Sequence, residues 1–163
     1  MLRERFLEGM SRAAATVSVV TTDGPGGRKG VTVSAMTAVS ADSASPSLLV
    51  CINEKSATAA AIRTNKVFCV NVLCDEQIEV SNMFSGRDKP SSGDKFECGQ
   101  WSTLKSDAPA LKGALVSFDC TVKKSFLHGT HWVFVGELND IAVNDGRSSL
   151  IYANRAYGRL ALM

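Results

Sequence analysis

Residues 30–40, GVTVSAMTAVS, alternate as a half-buried strand does. Val31, Val33, Ala35, Thr37 and Val39 fall on one face of an extended chain, and Thr32, Ser34, Met36, Ala38 and Ser40 on the other. The first face reads as core. The second begins with two short hydroxyl residues and carries no charge, which suits solvent or a flat ligand with many polar atoms. The β-rich run 16–22 precedes it across the Gly/Pro turn of residues 24–27, so the two predict a β-hairpin with a long loop. SLLVCIN (47–53) is a nearly all-apolar third strand and VFCVNVL (67–73) a buried fourth. ALVSFDCTVKKSF, THWVFVGELNDIAV and SLIYANRAYGRL supply the remaining strand-like segments, with a turn at residues 144–146.

Helical spacing occurs three times. Leu2, Phe6, Leu7 and Met10 share one side of an amphipathic N-terminal helix. EKSATAAAIRTNK has a good N-cap in Ser56, helix-favouring alanines and a stop at Asn65. DEQIEVSNMFSG opens with acidic residues, places Ile78, Val80, Met83 and Phe84 on one stripe, and ends at a glycine. RDKPSSGDKFECGQ reads as a polar loop. Six or seven strands in hairpin-like succession, without regular alternation with helices, predict an antiparallel barrel or sandwich with peripheral helices.

Composition narrows the function classes. The 163 residues suit one domain, 1–163, with its own core. Eighteen basic and 16 acidic residues give a net charge of +2, and no Lys/Arg run exists, which argues against nucleic acid as a partner. No apolar run approaches the roughly 20 residues of a membrane span, and the start lacks the apolar stretch of a secretory signal. Five cysteines, an odd number without a CxxC pair, point to a reduced, cytoplasmic protein; Cys51, Cys69 and Cys120 sit inside apolar runs. Neither a P-loop nor a dinucleotide-binding glycine fingerprint is present, so a nucleotide must be held by other means.

Four segments carry candidate chemistry. NEKSAT (53–58) leaves a buried strand and opens a helix, whose free N–H groups favour phosphate; plain capping by Ser56 is the simpler role. His128 and His131 flank Gly129 without further ligands at suitable spacing, so no metal site is expected. NRAY (154–157) followed by Arg159 offers either a surface edge or a pocket wall with an arginine for an anion. FSGR (84–87) reads alone as a helix C-cap. No nucleophile–base pair is evident.

In combination, these segments resemble the flavin reductase-like family, the small reductase components of two-component flavin-dependent monooxygenases. The resemblance runs from about Phe6 to Leu160 and rests on MSRAAATVSVVTT, GVTVSAMTAVS, SPSLLVCINEKSAT, FCVNVL, VSNMFSG, DKF, GTHWVFVGEL and LIYANRAYGRL. It implies a mainly β fold, an FMN-binding split β-barrel with Greek-key topology and peripheral helices, forming a homodimer with flavin sites near the subunit contact. The implied activity is reduction of diffusible FAD, or FMN, by NADH or NADPH. The reduced flavin would diffuse to a partner aromatic-compound monooxygenase. Carried over by position, Thr32, Val33, Ser34 and Ala35 line the isoalloxazine, with Ser40 close by. Asn53, Lys55, Ser56, Ala57 and Thr58 hold the ribityl and phosphate groups, and Phe84 and Ser85 lie near other parts of the flavin. His131 and the segment containing Asn154, Arg155 and Tyr157 face the nicotinamide, with His131 orienting it. Two features depart from the family pattern: ADSASPS (41–47) is longer than the usual compact turn, and Thr130 stands where an acidic residue commonly precedes the histidine. A flavoprotein with tightly bound FMN, and a non-enzymatic split barrel, are the alternatives.

Overall fold

The computed structural model describes residues 1–163. Helix α1 (Leu2–Arg12) leads into β1 (Ala15–Thr16), β2 (Ser18–Thr22), β3 (Lys29–Val33), β4 (Met36–Ser40) and β5 (Ser47–Asn53). Helix α2 (Ala57–Asn65), β6 (Val67–Val72) and α3 (Ile78–Ser85) follow. After a 3-10 turn at Lys95–Glu97 come β7 (Trp101–Thr103), β8 (Pro109–Leu111), β9 (Val116–His128), β10 (His131–Val143), β11 (Leu150–Ala153) and β12 (Ala156–Arg159). Seven strands form one antiparallel sheet in the order β3-β2-β6-β9-β10-β5-β4. The three strands β1-β11-β12 and the pair β7-β8 make smaller sheets outside it.

The run 30–40 is two strands rather than the single strand its alternation suggests. β3 pairs with β2 and β4 with β5, so the segment crosses from one edge of the sheet to the other at Ser34 and Ala35. Only two residues separate the opposite edges, and the sheet must therefore curl into a barrel. The Cys51 N–H donates to the Ala35 carbonyl at 3.1 Å and fixes the crossing. The break also shifts the face: Val31, Val33 and Met36 pack on the interior, while Ala35, Thr37 and Val39 are exposed.

The interior is filled by Val20, Val50, Ile52, Phe68, Val70 and Phe134, among others, from alternate positions of β2, β5, β6 and β10. Gly136 makes room for Phe68: a Cβ there would stand 2.5 Å from Phe68 Cζ and 2.8 Å from Cys120 Cβ. The β10–β9 register slips beside it, between Val135 and Gly136. A second apolar cluster lies outside the barrel. Every residue of β2 is buried, because Val20 faces inward while Val19 faces Leu73, Val80, Phe84, Phe96 and Leu150. Phe84, Phe96 and Trp101 meet edge to face at centroid distances of 5.0, 5.5 and 4.9 Å, joining α3 to the loop read as merely polar. Buried Asn71 secures β8 from below, accepting from the Leu111 N–H at 2.8 Å and donating to the Val19 carbonyl at 3.1 Å.

The helices end where their caps require. Ser56 Oγ accepts from the Thr58 N–H at 3.2 Å, and Lys66 closes α2 in the left-handed region. Asn65 does more than stop the helix. Its Oδ1 accepts from the Gly26 N–H at 2.6 Å and its Nδ2 donates to the Gly27 carbonyl at 3.1 Å, which holds the β2–β3 turn. Gly86 ends α3 at φ 81°. No residue of α1 is buried.

Candidate functional site

Three clefts meet along β3. The first, about 410 Å³, runs between Arg28–Val31, the start of α2 and the end of α3, under the segment Gly93–Phe96. It brings together Ser56, Ala57, Thr58, Phe84 and Ser85 of the expected set. Arg28, Lys29 and Lys95 border it against one carboxylate, Asp94, so its potential is positive. Asp94 Oδ2 accepts from Arg28 Nη2 at 2.6 Å, and the guanidinium lies 4.5 Å from the Phe96 ring centre. The start of α2 borders the same space: Ser56 Oγ takes the Thr58 N–H and the Ser56 carbonyl those of Ala59 and Ala60, which leaves the Ala57 N–H free at the helix start. Gly30 lets the Phe84 ring approach β3 closely, since a Cβ would stand 2.6 Å from its Cε1.

The second cleft, about 270 Å³, continues across Val31 and Ser56 to Thr32, Val33, Ser34, Ala35, Asn53 and His131. Cys51 and Ile52 also line it, and no charged residue does. Asn53 shapes the approach to α2: its Oδ1 accepts from the Lys55 N–H at 2.9 Å and its carbonyl from the Ser56 N–H at 3.0 Å. His131 begins β10 opposite Asn53 on one side and His128 on the other, and its Nδ1 lies 3.0 Å from Thr130 Oγ1. Thr130, in place of the acidic residue, thus supplies a neutral hydroxyl partner.

The third cleft, about 150 Å³, shares Thr32, Val33 and Ser34 with the second and Ser85 with the first. Its other wall is Arg87, Tyr152, Tyr157 and Ser81. Thr32 Oγ1 donates to the Ser81 carbonyl at 2.8 Å, so its proton is committed to α3 and its lone pairs face outward. Tyr157 Oη lies 2.8 Å from Ser81 Oγ and donates to Asn82 Oδ1 at 3.0 Å. The hydrogen bond to Tyr152 keeps the Arg87 guanidinium above its ordinary pKa range.

Four expected residues lie apart from the clefts. Ser40 ends β4, paired with Ser47. Lys55 is exposed on the turn before α2 and lines none of the three clefts. Asn154 and Arg155 form the left-handed β11–β12 turn at φ 51° and 60° and face α1: the Asn154 N–H donates to the Ser11 carbonyl, and Arg155 Nη2 pairs with Glu8 at 3.3 Å. Conversely, Arg28, Lys29, Lys95, Ser81 and Tyr152 border the clefts without having been singled out, and so do Arg87, read only as following a C-cap, and Cys51, read only as an apolar-run thiol. Two basic residues ahead of Gly30, and an arginine just past a C-cap glycine, are the local signals that mark some of them.

An uncharged middle cleft with hydroxyls and backbone groups, joined to a basic cleft at a helix start, fits a flat polar ring bearing an anionic tail. Fold and clefts together define a small antiparallel barrel with an uncharged and a basic cleft joined along one wall. The sequence profile described as a flavin reductase like domain matches residues 10–161, and the chain belongs to that family. FMN reductase (NADH) RutF of Ancylobacter novellus is 44% identical over 159 residues, spanning 98% of this chain and 86% of that protein. RutF of Acinetobacter baylyi is 41% identical over 155 residues, 95% of this chain and 80% of that one. Among solved structures, flavin reductase PheA2 superposes with a TM-score of 0.88 at 31% identity, covering 99% of this chain and 100% of the other. BorF, the flavin reductase component of a bacterial two-component tryptophan halogenase, gives 0.85 at 30%, covering 98% and 99%. The split β-barrel implied by the sequence resemblance is the fold of this chain.

Proposed function

We propose that the protein passes a hydride from NADH to a diffusible flavin, with FMN as the preferred flavin, and releases the reduced flavin to a separate flavin-dependent enzyme. The observation that carries this reading is the continuity of the uncharged cleft at Val31–Ala35 with the basic cleft at the start of α2. FMN and NADH are favoured over FAD and NADPH because the RutF relatives bear the name FMN reductase (NADH). A separate consumer of reduced flavin is supported by the names of neighbours such as BorF and a homologue of nitrilotriacetate monooxygenase component B from Mycobacterium thermoresistibile, 27% identical. Those names span a halogenase and an oxygenase, so an aromatic substrate for the partner is a narrower expectation than the neighbours support. Five free thiols suit a reducing compartment, the cytoplasm.

The flavin supplies the redox chemistry when bound; this chain's residues place it and the donor. Thr32, Val33, Ser34 and Ala35 would line the ring, where short side chains and backbone amides can approach its polar edge. Asn53, Ser56, Ala57 and Thr58 would hold the ribityl chain, and the α2 start with Arg28, Lys29 and Lys95 its phosphate. Phe84 and Ser85 wall that cleft. His131, oriented by Thr130, would align the nicotinamide amide rather than move a proton. Hydrogen-bond donors along the groove would stabilise the negative charge that the flavin gains.

The apolar side chains of α1, Leu2, Phe6, Leu7 and Met10, are all exposed, and a second copy of the chain would cover them in a homodimer. The deciding experiment is an NADH-oxidation assay with FMN, FAD and riboflavin, each crossed with NADH and NADPH, on flavin-free dialysed protein. Turnover that requires added flavin and is fastest with FMN and NADH is expected. Absence of turnover with every pair removes the enzyme reading, and a flavin that survives dialysis favours a tightly bound flavoprotein.

A further inference from the structure

Two arginines border the clefts, and they differ in what already satisfies them. Arg28 is paired with Asp94, whereas Arg87 forms no ion pair; its Nη2 donates to Tyr152 Oη at 3.2 Å. The Arg87 guanidinium lies 5.7 and 5.5 Å from the ring centres of Tyr152 and Tyr157. Its backbone is held rigidly past the α3 cap. The N–H groups of Arg87 and Asp88 both donate to the Asn82 carbonyl, at 3.0 and 3.2 Å. The side chain therefore leaves a fixed base and is held against a phenol pair.

The cleft that Arg87 borders contains no acidic residue, and Ser34, Ser85 and Tyr152 add hydroxyls to its wall. One unpaired guanidinium among hydroxyls is the chemistry of phosphate recognition, since the planar fork matches two phosphate oxygens at once. At about 150 Å³ the cleft is too small for a whole nucleotide, yet it runs through Thr32, Val33 and Ser34 into the cleft that holds His131. In the proposed function the flavin phosphate takes the basic cleft on the far side of Val31. A reaction between two nucleotides needs a second anion site on the side from which the second one enters.

We propose that Arg87 receives the phosphate groups of the hydride-donating pyridine nucleotide, with Tyr152 positioning the guanidinium. The donor would lie across β3, its phosphates at Arg87 and its nicotinamide toward His131. This inference rests on the flavin-reductase reading and adds where the donor's anionic half is held.

The test compares wild type with Arg87→Ala and Arg87→Lys. Titration calorimetry with ADP-ribose, the donor without its nicotinamide, reads the proposed subsite alone; fluorescence quenching of FMN reads the flavin site. Arg87→Ala is expected to weaken ADP-ribose about tenfold, the loss of one charge-assisted bond, with the KM for NADH rising by more than kcat falls. FMN affinity and Tm stay close to wild type, and Arg87→Lys restores part of the ADP-ribose affinity. Three results overturn the proposal: wild type that binds FMN but not ADP-ribose, a variant that loses FMN instead, or a variant that loses neither and has lost only a tether between α3 and β11. Wild type that binds no flavin and oxidises no NADH instead removes the function reading beneath it.

Discussion

The two apolar clusters on either side of β2 do different jobs. Inside, Val20, Val50, Ile52, Phe68 and Phe134 close the barrel; Val20 and Phe68 lie on strands, β2 and β6, that border no cleft, whereas Ile52 also lines the second. Outside, Val17, Phe84 and Phe96 both pack together and line clefts, so the same contacts set stability and site shape. A change inside should cost fold before function, and one outside should cost function along with fold. Phe68→Ala gives the largest effect that separates them. Phe68 is fully buried, and its loss should lower unfolding free energy by about 3–5 kcal/mol. Urea melts read this change, and FMN affinity of the remaining folded protein should match wild type. A variant that loses FMN binding before it loses stability would erase the distinction.

Gly30→Ala probes the outer side. The added Cβ would press on Phe84 from 2.6 Å, and the ring forms the wall beneath the basic cleft. Overpacking of this kind costs about 1–3 kcal/mol, less than the Phe68 truncation. Its signature is the pairing of that modest loss with a weakening of FMN at least as large in free energy. Phe84→Leu in the Gly30→Ala background should recover part of both, because the smaller side chain relieves the contact.

Arg28→Ala removes charge at the rim and, of the two clusters, touches only the outer one, through the Phe96 ring. Affinity for FMN should fall about tenfold and that for riboflavin, which lacks the phosphate, should hold. The FMN difference should shrink as salt rises from low to physiological ionic strength, as expected for a solvent-exposed cation. Equal losses for FMN and riboflavin would place the ring, rather than the phosphate, at this end.

Much of the inner cluster is legible in the sequence, and little of the outer one is. SLLVCIN and VFCVNVL announce buried strands because nearly every position is apolar, and Ser56 and Gly86 announce helix ends by local chemistry. The break at Ser34–Ala35 is hidden because small residues continue the alternation through it, while only the competing partners β2 and β5 reveal that the strand divides. β7 and β8 are three residues each, just past the polar loop and too short for periodicity to register. The third cleft joins Arg87 to Tyr152, 65 positions apart, and no local pattern links them. Asn154 and Arg155 show the converse: their neighbour Tyr157 reaches the cleft, but the left-handed turn directs both toward α1.

The gentlest probe of the contrast is the chemistry of two thiols. Burial pushes the Cys120 thiol inside the barrel up to about 12, with nearby Asp119 adding to the rise. Half-buried Cys51, on the wall of the uncharged cleft, is also raised by desolvation. Thiolate is the reactive form, so both should react slowly at pH 8, and Cys51 should react first because the cleft admits reagent. Mass spectrometry after timed alkylation identifies each site, and saturating FMN should slow Cys51 while leaving Cys120 unreactive. The same raised value fixes the sign of a stability change. The folded protein holds Cys120 as the neutral thiol more firmly than the unfolded chain does, so this contribution is complete below the ordinary thiol value of 9.0. It is lost as pH climbs from there toward about 12. Thermal melts across that window should show a falling Tm whose slope Cys120→Ala reduces, relative to its own lower starting value, with buried Cys69, also raised by desolvation, contributing the same sign. Alkylation of Cys120 ahead of Cys51 in folded protein would show that the barrel opens more readily than its rim.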